Sequence, residues 1–445
     1  MKVSVIGTGY VGLVSGVCLA DLGHEVVCVD VDDAKVTRIN NGDPPIYEKD
    51  LESLLQKNIG TRLRATSDLQ SAVIGTDLSL VAVGTPFKGS EIDLTYIQEA
   101  ARQIGVALRA KPGYHAVIVK STVVPGTTDE VVLPALEESS RKKAGSDFGV
   151  GMNPEFLREG EAIADFMNPD RIVLGGMDER TIAVLDELYA VFPRVEKLRT
   201  STKTAEMIKY ASNSLLATLI SFSNEIGNLC AALGGIDALD VMRGVHLDKR
   251  FSPILANGDR LMPGFTTYLE AGCGFGGSCF PKDVKALIAH GQKVGSRMDV
   301  LDAVMRVNER QPQEVLRLLG KHFTSLSGVR MAVLGLAFKP GTDDIRESPS
   351  LPVIAALQAQ GAYVTAYDPI ARHEAERHFS TNNITYADTL AQSVQGVDVV
   401  VVMTRWDEFK ALPELLAGVD PQPLVIDGRR MLDKNRIARY EGIGL

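Results

Sequence analysis

The sequence predicts an α/β fold made of two doubly wound parallel-sheet domains joined by a central helical region. Three observations lead there. Short β-branched runs alternate with helix-period stretches at the start, the texture turns wholly helical after Thr200, and strand-like runs return from Arg330 onward. Strands alternating with helices mark βαβ units, whose parallel strands need helices on both faces. A chain of 445 residues, at ~150 residues per domain, accommodates three parts, which the changes of texture place at 1–200, 201–310 and 311–445.

In the first part Val3–Ile6, Glu25–Asp30, Leu78–Val83 and Ala116–Lys120 read as buried strands, and Phe148–Met152 and Arg171–Leu174 extend the same sheet. Val11–Leu22 and Tyr96–Leu108 carry the helical period between them. In the middle, Ala205, Ile208, Ser212, Leu215, Leu219, Phe222 and Ile226 fall on one stripe of a long helix. The last part repeats the strand pattern in Arg330–Leu334, Ala362–Tyr367, Val397–Met403 and Leu424–Ile426. The repetition is also local: Lys2–Gly7 parallels Arg330–Gly335, and Gly23–Asp30 parallels Gly361–Asp368.

Composition narrows the function. Lys and Arg number 47 against 56 Asp and Glu, a net charge of −9 that argues against nucleic-acid and anionic-membrane partners. The apolar runs, of the Val397–Met403 kind, are too short to span a bilayer, and Met1-Lys2 leads straight into a strand with no cleavable apolar segment. Five cysteines without framework spacing suit a reducing compartment, the cytoplasm, and leave a thiol for chemistry. No CxxC or His partner completes a zinc set, so no metal is expected.

Gly7-Thr-Gly9-Tyr10-Val11-Gly12 follows the first strand and opens a helix, and Asp30 closes the second strand. Gly7 suits the tight turn, Gly9 lets the backbone approach a pyrophosphate, and Gly12 lets helix and strand pack closely. The phosphates would sit on the helix N-terminus, at Tyr10 and Val11. Asp30 would bind a ribose 2′-hydroxyl and repel a 2′-phosphate, which selects NAD over NADP. This is a Rossmann fingerprint in full context. The second copy, Gly335-Leu-Ala-Phe338-Lys339-Pro-Gly341, lacks it and calls for a different ligand, with Lys339, Arg346, Arg429 and Arg430 as available cations.

Gly272-Cys-Gly-Phe-Gly-Gly-Ser-Cys279-Phe-Pro-Lys282-Asp283 is the densest glycine cluster and precedes a helix that starts near Val284. A helix N-terminus with Lys282 alongside favours a thiolate, so Cys279 is the candidate nucleophile. Cys18, Cys28 and Cys230 read as small apolar core residues, and Cys273 is a weaker competitor. A dinucleotide site with an activated thiol suits oxidation of an alcohol onward to an acid through a thiohemiacetal and a thioester.

Val83-Gly-Thr85-Pro86, Lys120-Ser121-Thr122-Val123, Asn153-Pro-Glu155-Phe156-Leu157-Arg158-Glu159-Gly160, Lys209-Tyr-Ala-Ser-Asn213, Gly274–Asp283, Gly335–Pro340 with Thr342–Glu347, and Ile426–Arg429 resemble, in collinear order, the nucleotide-sugar 6-dehydrogenases of the UDP-glucose/GDP-mannose dehydrogenase family. The resemblance implies an N-terminal NAD domain, a helical dimerisation region and a C-terminal UDP-sugar domain. It implies two oxidations at C6 of UDP-glucose, with Cys279 as nucleophile. Lys209 and Asn213 match the pair that holds the alkoxide and thioester oxygens, Glu155 and Thr122 the pair that positions water or relays a proton, and Asp283 the carboxylate beside the hydrolytic water. Substrate contacts fall to Glu155–Arg158, Lys209, Asn213, Arg250 from a second subunit, Gly274, Phe275, Gly276, Phe338, Lys339 and Arg429. Cofactor contacts add Lys35, Thr85, Pro86, Ser121, Thr122, Glu159, Lys282 and Arg346 to the fingerprint. Arg250 is followed by a longer run than the family's before the pattern resumes at Gly272. Three alternatives stay open: another nucleotide sugar (GDP-mannose or an N-acetylated or epimeric UDP-hexose), a single-step 3-hydroxyacid dehydrogenase, and an NAD sensor without turnover.

Overall fold

In the computed structural model, which describes residues 1–379 and 384–445, the chain forms two units, Met1–Ser212 and Asn213–Leu445. The sheet of the first has the spatial order Glu196–Thr200, Arg171–Gly176, Phe148–Met152, His115–Val119, Leu78–Val81, Lys2–Ile6, Glu25–Val29 and Leu63–Thr66. Side chains alternate across it. Val3, Val5, Val26, Leu78, Leu80 and Ile118 pack with helix Tyr10–Asp21, while Ile6, Val27, Val29, Val81, Val117 and Val119 pack with helix Thr95–Ala110.

Two features depart from the expected wholly parallel sheet. Arg171–Gly176 runs antiparallel to Phe148–Met152, so the connection 153–170 returns along one edge and needs no crossover. Strands Leu63–Thr66 and Glu196–Thr200 were not anticipated, because as edge strands they point Arg64, Glu196 and Arg199 at solvent and show no apolar run.

The second unit carries a parallel sheet ordered Ile384–Tyr386, Tyr363–Tyr367, Arg330–Leu334, Val399–Val402, Leu424–Asp427 and Tyr440–Gly442. Strands one to three of each unit step outward and the next steps back past the first, which is the doubly wound arrangement. Helices Ala238–His246, Phe280–Lys293 and Asp299–Gly320 precede this sheet. The run after Arg250 is mostly irregular, with Ile254 bridged to Arg260 and a 3₁₀ turn at Gly264–Tyr268.

Helix Thr202–Leu233 links the units and inverts the usual amphipathic rule. Its buried side holds Glu206, Lys209, Asn213, Ser221, Ser223 and Asn224, whereas Leu215, Phe222, Leu229 and Leu233 are exposed. The expected apolar stripe is therefore not a core stripe at Leu215 and Phe222. The helix is long and apolar enough to cross a membrane by length and composition alone. Glu206, Lys209, Asn213 and the Asn224 side-chain oxygen find their partners in protein, as in a core helix.

Candidate active site

The first unit builds a nucleotide cradle. Gly7 has φ +97°, and a Cβ there would lie 2.8 Å from the Ala82 carbonyl oxygen. A Cβ on Gly12 would lie 1.9 Å from the Gly7 oxygen, so no larger residue fits, while a Cβ on Gly9 would meet nothing within 4 Å. Gly9 is the N-cap of helix Tyr10–Asp21 and offers no side-chain acceptor, which leaves the first N–H groups of the helix for an anion. The open space and the donors suit a pyrophosphate.

Asp30 is oriented by its neighbours. Thr8 donates its N–H to Oδ2 at 2.9 Å and its hydroxyl to the same oxygen, and the Asp32 N–H donates to Oδ1 at 3.0 Å. Burial opposes ionisation of Asp30, but these donors outweigh it and hold the carboxyl below the usual carboxylate range. Each oxygen keeps acceptor capacity for a ribose hydroxyl. Lys35 opens the next helix under the Asp32 cap. Thr85 donates to the Thr122 carbonyl at 2.7 Å and Ser121 to that of Val83 at 2.7 Å, joining the two loops beside the cradle, and Pro86 is exposed. Tyr10 turns its hydroxyl onto buried Glu48, which also accepts from Gly160 N at 2.6 Å and Ala162 N at 2.9 Å, so the helix start is tied to the loop that carries Glu159.

The same unit holds a buried charge cluster. Lys209 Nζ lies 2.8 Å from Glu155 Oε1 with both side chains buried, and Glu155 Oε2 accepts from Leu157 N at 2.6 Å. Burial works against the Glu155 anion, but Lys209, the Leu157 N–H and Lys120 prevail and lower its proton affinity. The Phe156 ring packs beneath Lys209, 5.5 Å from Nζ. Arg158 is turned away onto Asp165 and Glu161.

The second unit gathers the remaining residues around the glycine cluster. Its helix starts at Phe280, earlier than Val284, with Cys279 as N-cap and Pro281 in the first turn. Cys279 is the one cysteine that is not buried. Asp283 is buried and accepts from Asn213 Nδ2 at 2.7 Å and from Lys282 Nζ at 2.6 Å. Phe338 packs on Gly277, where a Cβ would lie 2.7 Å from the ring, and Gly277 N donates to the Arg346 carbonyl at 2.8 Å. Gly276 allows the Glu347 carbonyl to approach, at 2.1 Å from a Cβ. Arg429 donates to the carbonyls of Gly274 at 2.9 Å and Met403 at 2.7 Å, so it shapes the loop with the donors expected for substrate. Lys339 follows Phe338 and is half-buried. Arg250 does not join this group, because its exposed guanidinium chelates Asp248.

Several site-shaping residues were not anticipated. Asn308 pairs with both the N–H and the carbonyl of Phe275 (2.8 and 3.0 Å), Gln311 donates to the Gly272 carbonyl at 2.8 Å, and Asn224 accepts from Gly272 N at 2.8 Å. Amides on helices leave no motif, although Asn308 and Gln311 share a helix face by spacing. Lys120 and Glu48 are buried ionisable residues in site loops, and a Lys ending the apolar run 116–119 was a visible signal. Among the described residues no group of three or more His, Cys, Asp or Glu is arranged to hold a metal.

Comparisons with known proteins identify the family. The NAD binding domain of the UDP-glucose/GDP-mannose dehydrogenase family matches residues 1–193, its central domain 203–310 and its UDP binding domain 332–434. UDP-glucose 6-dehydrogenase AglM of Haloferax volcanii is 42% identical over 450 aligned positions, covering 100% of both chains. GDP-mannose 6-dehydrogenase of Pseudomonas putida is 39% identical, also covering 100% of both. The structure of a UDP-glucose dehydrogenase from the archaeon Pyrobaculum islandicum superposes with a TM-score of 0.89 at 41% identity, covering 100% of this chain and 97% of that one. The chain belongs to the UDP-glucose/GDP-mannose dehydrogenase family and is an NAD-dependent oxidoreductase.

Proposed function

We propose that this enzyme oxidises C6 of UDP-glucose twice, giving UDP-glucuronate, with Cys279 carrying the intermediate. The observation that carries the reading is the setting of Cys279: this half-buried cysteine stands at the N-cap position of a helix whose first turn presents Asp283 to Asn213. NAD on the Gly7–Gly12 turn supplies the hydride acceptor for each oxidation. Lys209 and Asn213 stabilise negative charge as it develops on the C6 oxygen, and Glu155 with Thr122 relays the hydroxyl proton. The Cys279 thiolate adds to the aldehyde as a thiohemiacetal, loss of the second hydride leaves a thioester, and water held near Asp283 cleaves it to carboxylate and thiol.

In this reading residues 1–200 bind NAD, 201–310 mediate dimerisation and 311–445 hold the UDP moiety through Phe338, Lys339 and Arg429. The apolar residues Leu215, Phe222 and Leu229, exposed on one helix at heptad spacing, support at least a homodimer. Free cysteines support the cytoplasm as its compartment.

With limiting UDP-glucose the expected yield is two NADH per sugar; a yield of one would remove the thioester and favour the single-step 3-hydroxyacid type of chemistry. Cys279→Ser is expected to bind both ligands and form no acid. A second reading, GDP-mannose as substrate, is favoured by the Pseudomonas putida relative, and a panel of nucleotide sugars followed by NADH absorbance separates the two.

A further inference from the structure

Lys120 is a buried ammonium that the reaction above does not use. It ends strand His115–Val119, and Asn153 ends the neighbouring parallel strand Phe148–Met152, so the two lie side by side at the carboxyl edge of the sheet. Lys120 Nζ donates to Asn153 Oδ1 at 3.0 Å, and the same oxygen accepts from Tyr189 at 2.6 Å. Asn153 Nδ2 donates to the Val173 carbonyl at 2.9 Å, which ties a third strand to the pair. Each root leads directly into a site loop: Lys120 into Ser121-Thr122, and Asn153 into Pro154-Glu155.

Charge gives a second, independent reason. The groups facing Lys120 are Asn153, Tyr189, the Phe166 ring at 6.0 Å and the charged pair Glu155 and Lys209. Glu155 is thus flanked by two buried ammonium groups, and their attraction, with the Leu157 N–H, outweighs the cost of burying its carboxylate.

We propose that Lys120 is a positioning residue of the oxidation: it fixes the Thr122 and Glu155 loops through Asn153, and its positive charge anchors the Glu155 carboxylate in the orientation that works with Lys209. This rests on the role given to Glu155 above. Burial first, and Lys209 second, push the Lys120 ammonium down to about 8 against the pull of Glu155, so its charge is present at neutral pH and lost in mild alkali.

The test is the pH profile of kcat for the parent enzyme and for two variants. Lys120→Gln keeps a donor for Asn153 and removes the charge; Lys120→Met removes both. In the parent, kcat is expected to fall on the alkaline side near pH 8. Lys120→Gln is expected to lack that limb and to run about 10-fold slower at neutral pH, with KM for NAD within about threefold of the parent. Lys120→Met is expected to be slower still, because the loop roots are also unpinned. A merely structural lysine would scale the rate without moving the limb, so an unchanged alkaline limb in Lys120→Gln overturns the proposal. The Gln variant decides the matter if the Met variant does not fold. A Glu155→Gln variant as active as the parent would instead overturn the role of Glu155 itself.

Discussion

Gly7 in the first unit and Gly335 in the second have φ of +97° and +94°, and each donates its N–H to the end of the neighbouring strand, to Val29 O and Tyr367 O, at 2.8 Å. In each unit a carboxylate receives the next turn, Asp30 from Thr8 N and Asp368 from Leu336 N. Even the strand entrances match: Lys2 N donates to Asp77 and Arg330 N to Asp398, at 2.8 and 2.9 Å. Beyond the turn the units part. Helix Tyr10–Asp21 begins at once and points its N-terminus at the cradle, whereas after Gly335 the chain wanders to Ser350 before its helix begins. Asp30 is half-buried and keeps acceptor capacity to spare. Asp368 is buried and accepts from the N–H groups of Leu336, Ala337, Ile370 and Ala371 and from the Trp406 indole. The same device thus leaves a half-open carboxylate beside the cradle in one unit and makes a structural staple in the other. A shared topology does not carry a shared ligand; the length of the first loop and the occupancy of one carboxylate do.

The comparison is most easily broken at the glycines. Gly12→Ala would drive a methyl into the Gly7 carbonyl between two backbones that cannot part, and is expected to cost 3 kcal/mol or more, on the order of severe overpacking, read as a collapse of the melting temperature. Next come the carboxylates. Asp368→Asn turns a donor group toward backbone N–H groups and is expected to cost about 3 kcal/mol with no change in cofactor preference. Asp30→Asn is expected to cost about 1 kcal/mol and to raise the NADP to NAD ratio of kcat/KM. Equal stability losses for the two would mean that the two carboxylates do the same work. Gly9→Ala has room in the fold, and the second unit already has Ala337 after the corresponding turn; it should melt like the parent while KM for NAD rises about 10- to 100-fold, since the methyl occupies the pyrophosphate space.

The fingerprint, both sheets and the glycine cluster were legible because each is written in local residues: Gly7, Gly9 and Gly12 at fixed offsets, valine-rich runs, a cysteine before Pro281. Edge strands such as Leu63–Thr66 and Tyr440–Gly442 were not, since half-exposed strands pair through backbone and carry no apolar signal. The long helix misled for the opposite reason. Periodicity identifies a face but not which way it looks, and here the polar face is the buried one, with Glu206, Lys209 and Asn213 turned inward and Leu215 and Phe222 outward. The supports of the site, Asn153, Asn308 and Gln311, were illegible because an amide is informative only once its partner, distant in sequence, is known.

The smallest difference between the units lies inside their sheets. In the first, Ser4 and Ser79 hydrogen-bond at 2.7 Å across paired strands, and Ser79 meets His115 Nε2 at 2.8 Å; in the second the corresponding positions are Ala332 and Val400. Burial, reinforced by Lys111, pushes the His115 imidazole down to about 3, so it stays neutral in the fold. In the unfolded chain it takes up a proton below about 6.5. Between these values the unfolded state binds more protons, and stability must fall as pH falls. From pH 7 to 5.5 the loss is about 1 kcal/mol. His115→Gln can keep partners for Ser79 and the Thr76 carbonyl without titrating, so its urea midpoint should decline less over this interval than that of the parent. If both decline equally, the polar layer of the first sheet is not what makes it more sensitive to acid than the apolar layer of the second.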